Sequence, residues 1–425
     1  MEFPGVLAND DVSLDIRRGE VFALVGENGA GKTTLMNILY GINEPTDGEV
    51  YIRGEKVSHF SPKNAISLGV GEPDFVTPWS IRDAAIQSIE DGQTQYTSNW
   101  GLLSLREKIA AYLRMRYRVT YSPSNEILVT VGASEGIDLA MRALVCPGDE
   151  VLIPEPSYVS YAPAVTFAGG TPVPVKTFAA DCFALTPEAL RAALTDRTKA
   201  LILPYPNNPT GGVMTKAQLM EIAQVLEETD VIAVSDEIYS ELVYGGHEHT
   251  AFASIPGMRE RTITLNGFSK AFAMTGWRVG YACAPKELLA PMFKIHQYTM
   301  LCASIQGQVA ADRALGRAFE TGFEDVRTMV RSYDRRRRLM VESLNDMGLA
   351  CFEPRGAFYV FPSIEKTGLT SDEFCTRLLE KKQVACVPGT AFGASGEGHI
   401  RCSYATSLEN LNEALKRIRE FVNEL

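Results

Sequence analysis

No uninterrupted apolar run in the 425 residues reaches the roughly 18 that a membrane-spanning helix requires. Met1 to Asp10 is acidic and lacks the basic-then-apolar pattern of a secretory leader. The eight cysteines, Cys146, Cys182, Cys283, Cys302, Cys351, Cys375, Cys386 and Cys402, include no Cys-x-x-Cys pair. That spacing excludes a zinc knuckle and a thioredoxin-like redox motif. The five histidines form no ligand pair at helical spacing, so no metal site is expected. His247 and His249 fall in a Gly-rich turn and read as a surface loop. Positive charge is scarce: 41 basic residues face 52 acidic ones, for a net charge of −11. That balance argues against nucleic acid as a partner, which calls for a basic face. What is present is ordinary globular composition, 45% apolar and 22% charged, too apolar for global disorder. The length suggests two to three domains at about 150 residues each. Scattered cysteines in such a chain read as reduced and mostly buried. A cytoplasmic enzyme is the expectation.

The chain changes character near residue 60. Gly19 to Val25 is a short apolar strand pattern that runs into Gly26-Glu27-Asn28-Gly29-Ala30-Gly31-Lys32-Thr33-Thr34, and then into a helix-like Leu35 to Tyr40. This is G-x-x-x-x-G-K-T between a strand and a helix, the context that makes a P-loop credible. Glycines let successive N–H groups face a phosphate, and the helix adds its positive end. Gly26, Gly29, Gly31, Lys32, Thr33 and Thr34 are the candidate nucleotide-binding residues, with Lys32 on the terminal phosphates and Thr33 on Mg²⁺. With Val12-Ser13-Leu14-Asp15-Ile16 before it and Pro45-Thr46-Asp47-Gly48-Glu49-Val50 after it, the segment resembles the opening of an ATP-binding-cassette transporter ATPase. The resemblance extends to about Ile66 and stops. No L-S-G-G-Q signature follows, and Val231 to Glu237 only loosely mimics a Walker B strand. The segment keeps a phosphate cradle and lacks the elements for ATP hydrolysis.

From about Ile66 onward, apolar strand patterns alternate with polar loops and helices. Glu126–Val131, Glu150–Pro154, Ala200–Pro204, Val231–Ser235 and Arg261–Leu265 are the expected strands. Such alternation predicts an α/β layer with a largely parallel sheet, its ligands at the strand ends. The loops carry chemistry in order. Thr130 to Gly136 is a small-residue loop entering a helix, and Pro154 to Tyr158 sets an aromatic after a strand. Asn207 to Gly212 is a polar turn, and Ser235-Asp236-Glu237-Ile238-Tyr239 ends a strand on an acid and a phenol. Phe268 to Arg278 sets a lysine among apolar neighbours, with an arginine eight residues on. An amine in an apolar setting has a lowered pKa, which suits Schiff-base chemistry. Lysine, acid, phenol, ring stacker and phosphate cup together fit pyridoxal phosphate.

Residues 66–425 resemble the class I/II pyridoxal-phosphate aminotransferases of the aspartate aminotransferase fold. The strongest words are Gly71-Glu72-Pro73-Asp74-Phe75, Asn208-Pro209-Thr210-Gly211, Ser235 to Tyr239 and Ser269 to Arg278. The resemblance implies fold type I: a large domain with a mostly parallel seven-stranded sheet and a smaller α+β domain. It implies a ping-pong exchange of an amino group between an amino acid and a 2-oxo acid, with 2-oxoglutarate as the acceptor. Lys270 forms the Schiff base and moves the substrate proton. Asp236 pairs with the ring nitrogen, Tyr239 and Asn208 bond the ring's phenolate oxygen, and Tyr158 stacks on the ring. Ala133, Ser134, Ser269 and Arg278 hold the phosphate. Arg401, with Gly71 and Asn208, takes the substrate carboxylate. Tyr96 reaches the phosphate of a neighbouring subunit, which implies a homodimer.

Two departures stand out. At Gly267 many relatives carry a hydroxyl residue that adds to the phosphate cup. The family's N-terminal arm is replaced by the ATPase-like segment, which puts dimer affinity in doubt. The expected division is therefore 1–60 for the truncated cassette-like segment and 61–425 for the aminotransferase. Within the latter, about 94–300 is the large domain, and about 61–93 with 301–425 the small one. An ATP-binding transporter-related protein using the P-loop at 26–33, or a non-catalytic chimera, are the alternatives. The donor's side chain is not legible. The run Arg335 to Arg338 lies in a helical stretch, Phe323 to Met347. Consecutive side chains there point about 100° apart, so it reads as a solvated helix face and not as a basic stripe.

Overall fold

Alternate residues along strands of the main sheet belong to different hydrophobic cores. Ile127 and Val129 pack into one core and Leu128 into another; Tyr281 and Cys283 join the first, Ala282 the second. Successive strand side chains point to opposite faces, so a sheet with apolar residues at both parities must be covered on both sides. The chain obeys this in a computed structural model that describes residues 2–3, 6–16, 31–39, 45–52, 55–56 and 65–425. It divides into two compact units, Met1–Ile66 and Ser67–Leu425.

The second unit holds a seven-stranded sheet. Its strands are β1 Ile127–Thr130, β2 Glu150–Glu155, β3 Thr171–Lys176, β4 Thr198–Leu203, β5 Ile232–Asp236, β6 Thr262–Gly267 and β7 Gly280–Cys283. The spatial order is β1-β7-β6-β5-β4-β2-β3. Only β7 runs antiparallel to its neighbours; the other pairings are parallel. β3 and β7 are not among the strands expected from the sequence. β3 carries Pro172 and Pro174, which hide a strand pattern and are tolerated because β3 is an edge. β7, Gly-Tyr-Ala-Cys, contains no β-branched residue and opens on a glycine, so it carries little strand signal.

A smaller three-stranded antiparallel sheet contains β8 Tyr359–Val360, β9 Val387–Pro388 and β10 Ile400–Ser403, in the order β8-β10-β9. The helix Trp79–Glu90 buries Ile81, Ala85 and Ser88 and packs on the helix Ile305–Thr321. Among the described residues no helix is long and apolar enough to cross a membrane.

The arginine run corrects the expectation of a solvated face. In the helix Glu324–Asp346 the buried stripe runs through Tyr333, Arg336, Arg337 and Met340. Arg336 and Arg337 are 9% and 2% exposed, while Arg335 and Arg338 face water. Arg336 reaches Asp74 at 2.8 Å, and Arg337 reaches Asp334 at 2.7 Å and Glu353 at 2.6 Å. Buried cations persist only with such partners, and two of the three are distant in sequence. His249 is also no surface residue. Its ring is 8% exposed and lies 3.1 Å from Glu237, which is itself buried beside Asp236.

The first unit contains the hairpins Glu2–Phe3 with Val6–Leu7 and Tyr51–Ile52 with Glu55–Lys56, and the helix Lys32–Leu39. Gly31 precedes that helix with φ +74°, and its carbonyl accepts from Leu35 N at 2.9 Å and Asn9 Nδ2 at 3.2 Å. Lys32, Thr33 and Thr34 form the first turn, while Gly26 and Gly29 lie outside the described residues.

Candidate active site

The C-terminal ends of β4, β5 and β6 lie side by side, and the chain leaves each with a polar residue. β5 ends on Asp236, β6 leads to Ser269 and Lys270, and the turn after β4 carries Asn208. A cavity of about 720 Å³ opens there, the place where open α/β sheets bind ligands. It is lined by Gly71, Ala133, Ser134, Tyr158, Asn208, Asp236, Tyr239, Ser269, Lys270, Arg278 and Arg401, from sites as far apart in sequence as 71 and 401. Tyr96 is not among the lining residues; it is 82% exposed.

Lys270 Nζ donates to the carbonyl of Gly71 at 2.5 Å. Burial pulls its amine down to about 8; nearby Glu72 and Asp236 oppose this, and the cations Arg278 and Arg401 add to it. An amine so poised is neutral often enough to attack an aldehyde. Asp236 is 5% exposed. Burial pushes its carboxyl up to about 6, against the pull of Tyr161 O–H at 2.8 Å, Ile238 N–H at 3.2 Å and Lys270. A buried carboxylate without a close cation is costly. The protonated ring nitrogen of pyridoxal phosphate fits as the missing partner.

Tyr239 and Tyr359 share a hydrogen bond at 2.9 Å, and burial raises the Tyr239 phenol well above its ordinary value. Tyr239 therefore stays protonated and able to donate. Asn208 Oδ1 accepts from Arg401 Nη1 at 2.9 Å, which leaves the amide N–H groups to donate to a ring oxygen.

The anion cradle follows β1. Gly132 has φ +72°, and Ala133 and Ser134 open the helix Gly132–Leu144, whose free N–H groups suit a phosphate. A Cβ on Gly132 would lie 2.4 Å from Arg278 Nη2, so glycine is what lets the guanidinium close on this loop. Arg278 is itself held at φ +53°, with Nη1 donating to Thr275 O at 3.1 Å. Gly267 has a packing reason of its own. A Cβ there would meet Gly280 Cα at 2.9 Å and Val279 O at 3.0 Å, so any side chain at this position would require the neighbouring strand backbone to shift.

Arg401 is 7% exposed and sits between the rings of Tyr359, 4.6 Å from its guanidinium carbon, and Phe392, at 4.8 Å. Nη2 donates to Gly69 O at 2.6 Å, while Nε is buried without a partner. Among the described residues no carboxylate pairs with it. A buried fork with an unused donor fits an incoming carboxylate. A Cβ on Gly71 would meet Tyr359 Oη at 2.7 Å, so glycine keeps this wall open.

Tyr161, Tyr359 and Phe392 also line the site and escape sequence reasoning. Tyr161 follows Tyr158 by three residues at the start of the helix Tyr161–Phe167, and that spacing was its only signal. Tyr359 and Phe392 sit in apolar words that read as core.

A lysine with a lowered pKa, a buried acid and an anion cradle at the open edge of this sheet define a pyridoxal-phosphate enzyme. The sequence profile of the family "Aminotransferase class I and II" matches residues 63–418, and the chain belongs to that family. It is 54% identical to the aminotransferase YugH of Bacillus subtilis, across 85% of this chain and 92% of that protein. It is 47% identical to an aspartate aminotransferase of Pyrococcus abyssi, with the same coverages. The crystal structure of an aromatic aminotransferase from Pyrococcus horikoshii superposes with a TM-score of 0.83 at 47% identity, covering 85% of this chain and 96% of that one. The protein is a pyridoxal-phosphate-dependent aminotransferase. The "ABC transporter" profile matches residues 9–110, in line with the resemblance of the N-terminal segment. Its last part overlaps the aminotransferase match, and there the helices Trp79–Glu90 and Leu103–Tyr117 pack on Ile305–Thr321 within the second unit.

Proposed function

We propose that Lys270 is the amine that bonds the cofactor's aldehyde and, once released, carries the proton from the substrate α-carbon. The observation that carries this reading is its amine, drawn down to about 8 inside the cavity that Asp236, Arg278 and Arg401 share. When bound, pyridoxal phosphate supplies a ring that accepts the electrons left on that carbon. Asp236 keeps the ring nitrogen protonated, Tyr239 and Asn208 donate to the ring oxygen, and Tyr158 covers one face. Ala133, Ser134, Ser269 and Arg278 hold the phosphate. Arg401 takes the substrate carboxylate beside Gly71. The two half-reactions share this one site, which makes the kinetics ping-pong.

The wall left for the donor's side chain includes Val70, Val387 and Phe392. An aromatic or other apolar amino acid is therefore the proposed donor. The relatives' names divide between aspartate and aromatic amino acids, so the test is a panel. Cofactor-loaded protein is titrated with aromatic, branched-chain, alanine and aspartate donors. Aromatic donors are expected to lead in kcat/KM; a tenfold preference for aspartate would overturn the side-chain assignment. In Arg401→Lys the KM of every donor rises by about 30-fold or more, since a lysine cannot reproduce the bidentate grip on a buried carboxylate.

A homodimer belongs to this reading, supported by the exposed Tyr96 and by Trp79, Ile86 and Ile89 exposed on one helix. A cytoplasmic setting is supported by eight unpaired cysteines. The N-terminal match supports a second ligand, a nucleotide phosphate at residues 26–34. ATP then raises the melting temperature of the wild type by a few degrees and does nothing for Lys32→Ala. An ATP effect that survives in Lys32→Ala removes the P-loop from the account.

A further inference from the structure

Cys386 and Cys402 lie against each other, their sulfurs 3.3 Å apart. Cys402 lies on β10, and Cys386 directly precedes β9, its antiparallel neighbour. Val387 pairs with Arg401 and Pro388 with Ile400 across β9 and β10, so Cys386 and Cys402 are the next opposed residues. Val387 and Arg401 both line the active-site cavity. Side chains alternate along a strand, so the two thiols lie on the opposite face. There the helix Ser371–Lys382 packs on β9 and brings Cys375 near. Cys402 is fully buried, while Cys386 keeps partial access to solvent. Cys351, the other thiol of this region, donates to Phe352 O at 3.3 Å.

We propose that Cys386 and Cys402 are a dithiol modification site, reversibly oxidised to a cross-strand disulfide behind Arg401. Opposed positions on adjacent strands already bring the sulfurs into contact, so the bond needs no rearrangement of the fold. The oxidant is a small disulfide, R–S–S–R. The thiolate of Cys386, the less buried of the two residues, attacks it, forms a mixed disulfide and expels one RS⁻. The thiolate of Cys402 then attacks Cys386 Sγ and expels the second. Two S–H bonds break and one protein S–S bond forms. The two electrons and two protons leave as two RSH. The hydrogen bond to Cys402 and burial hold the Cys386 thiol well above its ordinary value; Cys375 acts in the same sense and Arg401 against it. The thiolate is the attacking form, so the exchange quickens as the pH rises.

The bond ties the strand that bears Arg401 to the strand that bears Val387. Two consequences follow. Closing a loop of about 15 residues stabilises the fold, so the melting temperature rises by a few degrees. The donor KM shifts by at least about twofold, because small misplacements of a substrate-holding group are felt strongly. This second consequence rests on Arg401 as the carboxylate grip.

The test treats reduced, cofactor-loaded protein with 2-hydroxyethyl disulfide and maps it by non-reducing peptide mass spectrometry. The expected product is a peptide linking Cys386 to Cys402, with exposed Cys146 and Cys182 carrying mixed disulfides. Dithiothreitol reverses it, along with the shifts in melting temperature and KM. Cys386→Ser and Cys402→Ser, made separately, each lose the link and both shifts. Recovery of Cys386 and Cys402 as free thiols, as two separate mixed disulfides, or joined to Cys375 overturns the proposal. A link that forms with KM unmoved overturns the coupling to Arg401. Failure of the Arg401 reading shows separately, as an unchanged KM in Arg401→Lys.

Discussion

Lys270→Ala is expected to lower turnover by at least about 10⁴-fold, the upper end of what a positioned proton-transfer group contributes. Among the described residues lining the cavity Lys270 is the only lysine, so no neighbour can take its place as the amine. Its one hydrogen bond, to Gly71 O, is modest, and removing a desolvated amine does not strain the fold. The loss should therefore appear in a protein that melts close to the wild type. A second readout is covalent. Borohydride reduction of the cofactor-loaded wild type leaves the cofactor's mass on the peptide containing Lys270, and the variant gains none. Turnover in Lys270→Ala within about a hundredfold of wild type, well above what loss of such a group leaves, would remove it from the chemistry.

Asp236→Asn is expected to lower kcat by on the order of 10²–10³-fold, the cost of breaking a buried ion pair expressed as a rate. The substitution is nearly isosteric. It keeps one acceptor oxygen, for either Tyr161 or Ile238, sets an amide NH2 in place of the other, and takes away the charge opposite the ring nitrogen. The sign of the pH effect follows from the carboxyl's raised value, about 6 in the cofactor-free protein. Above that pH the group is a carboxylate, ready to pair with a protonated ring. Below it, binding must first expel a proton, so cofactor affinity falls by up to about tenfold per pH unit. In Asp236→Asn that acidic fall disappears and affinity is weak throughout. An Asn variant with wild-type kcat and the same acidic limb would mean that another group faces the ring nitrogen.

Much of the candidate site was legible because its chemistry sits in short words at strand ends. Asp236, Asn208, Lys270 and Arg278 follow apolar strands within a few residues, so local pattern marks both the element and the exit from it. The lysine's apolar surroundings were visible in Phe268 and Phe272, and burial then dominates its lowered pKa. The rest was hidden by distance along the chain. Tyr161 looks like a core aromatic until the fold sets its hydroxyl 2.8 Å from Asp236. Tyr359 joins Tyr239 across 120 residues. Arg336 reads as a solvated charge because its partner, Asp74, lies 262 residues away.

The sequence by itself determined the class of chemistry, an amine, an acid and an anion cradle in the order an α/β sheet presents them, and it also exposed the foreign P-loop segment at the front. Only the tertiary structure decided which charges are buried and what each buried group meets. It turned Arg336, Arg337 and His249 inward, left Arg401 without an acidic partner among the described residues, and set Cys386 against Cys402. The reason is physical. Backbone periodicity and turn chemistry are local and can be read along the chain. Desolvation and pairing depend on neighbours that packing alone supplies.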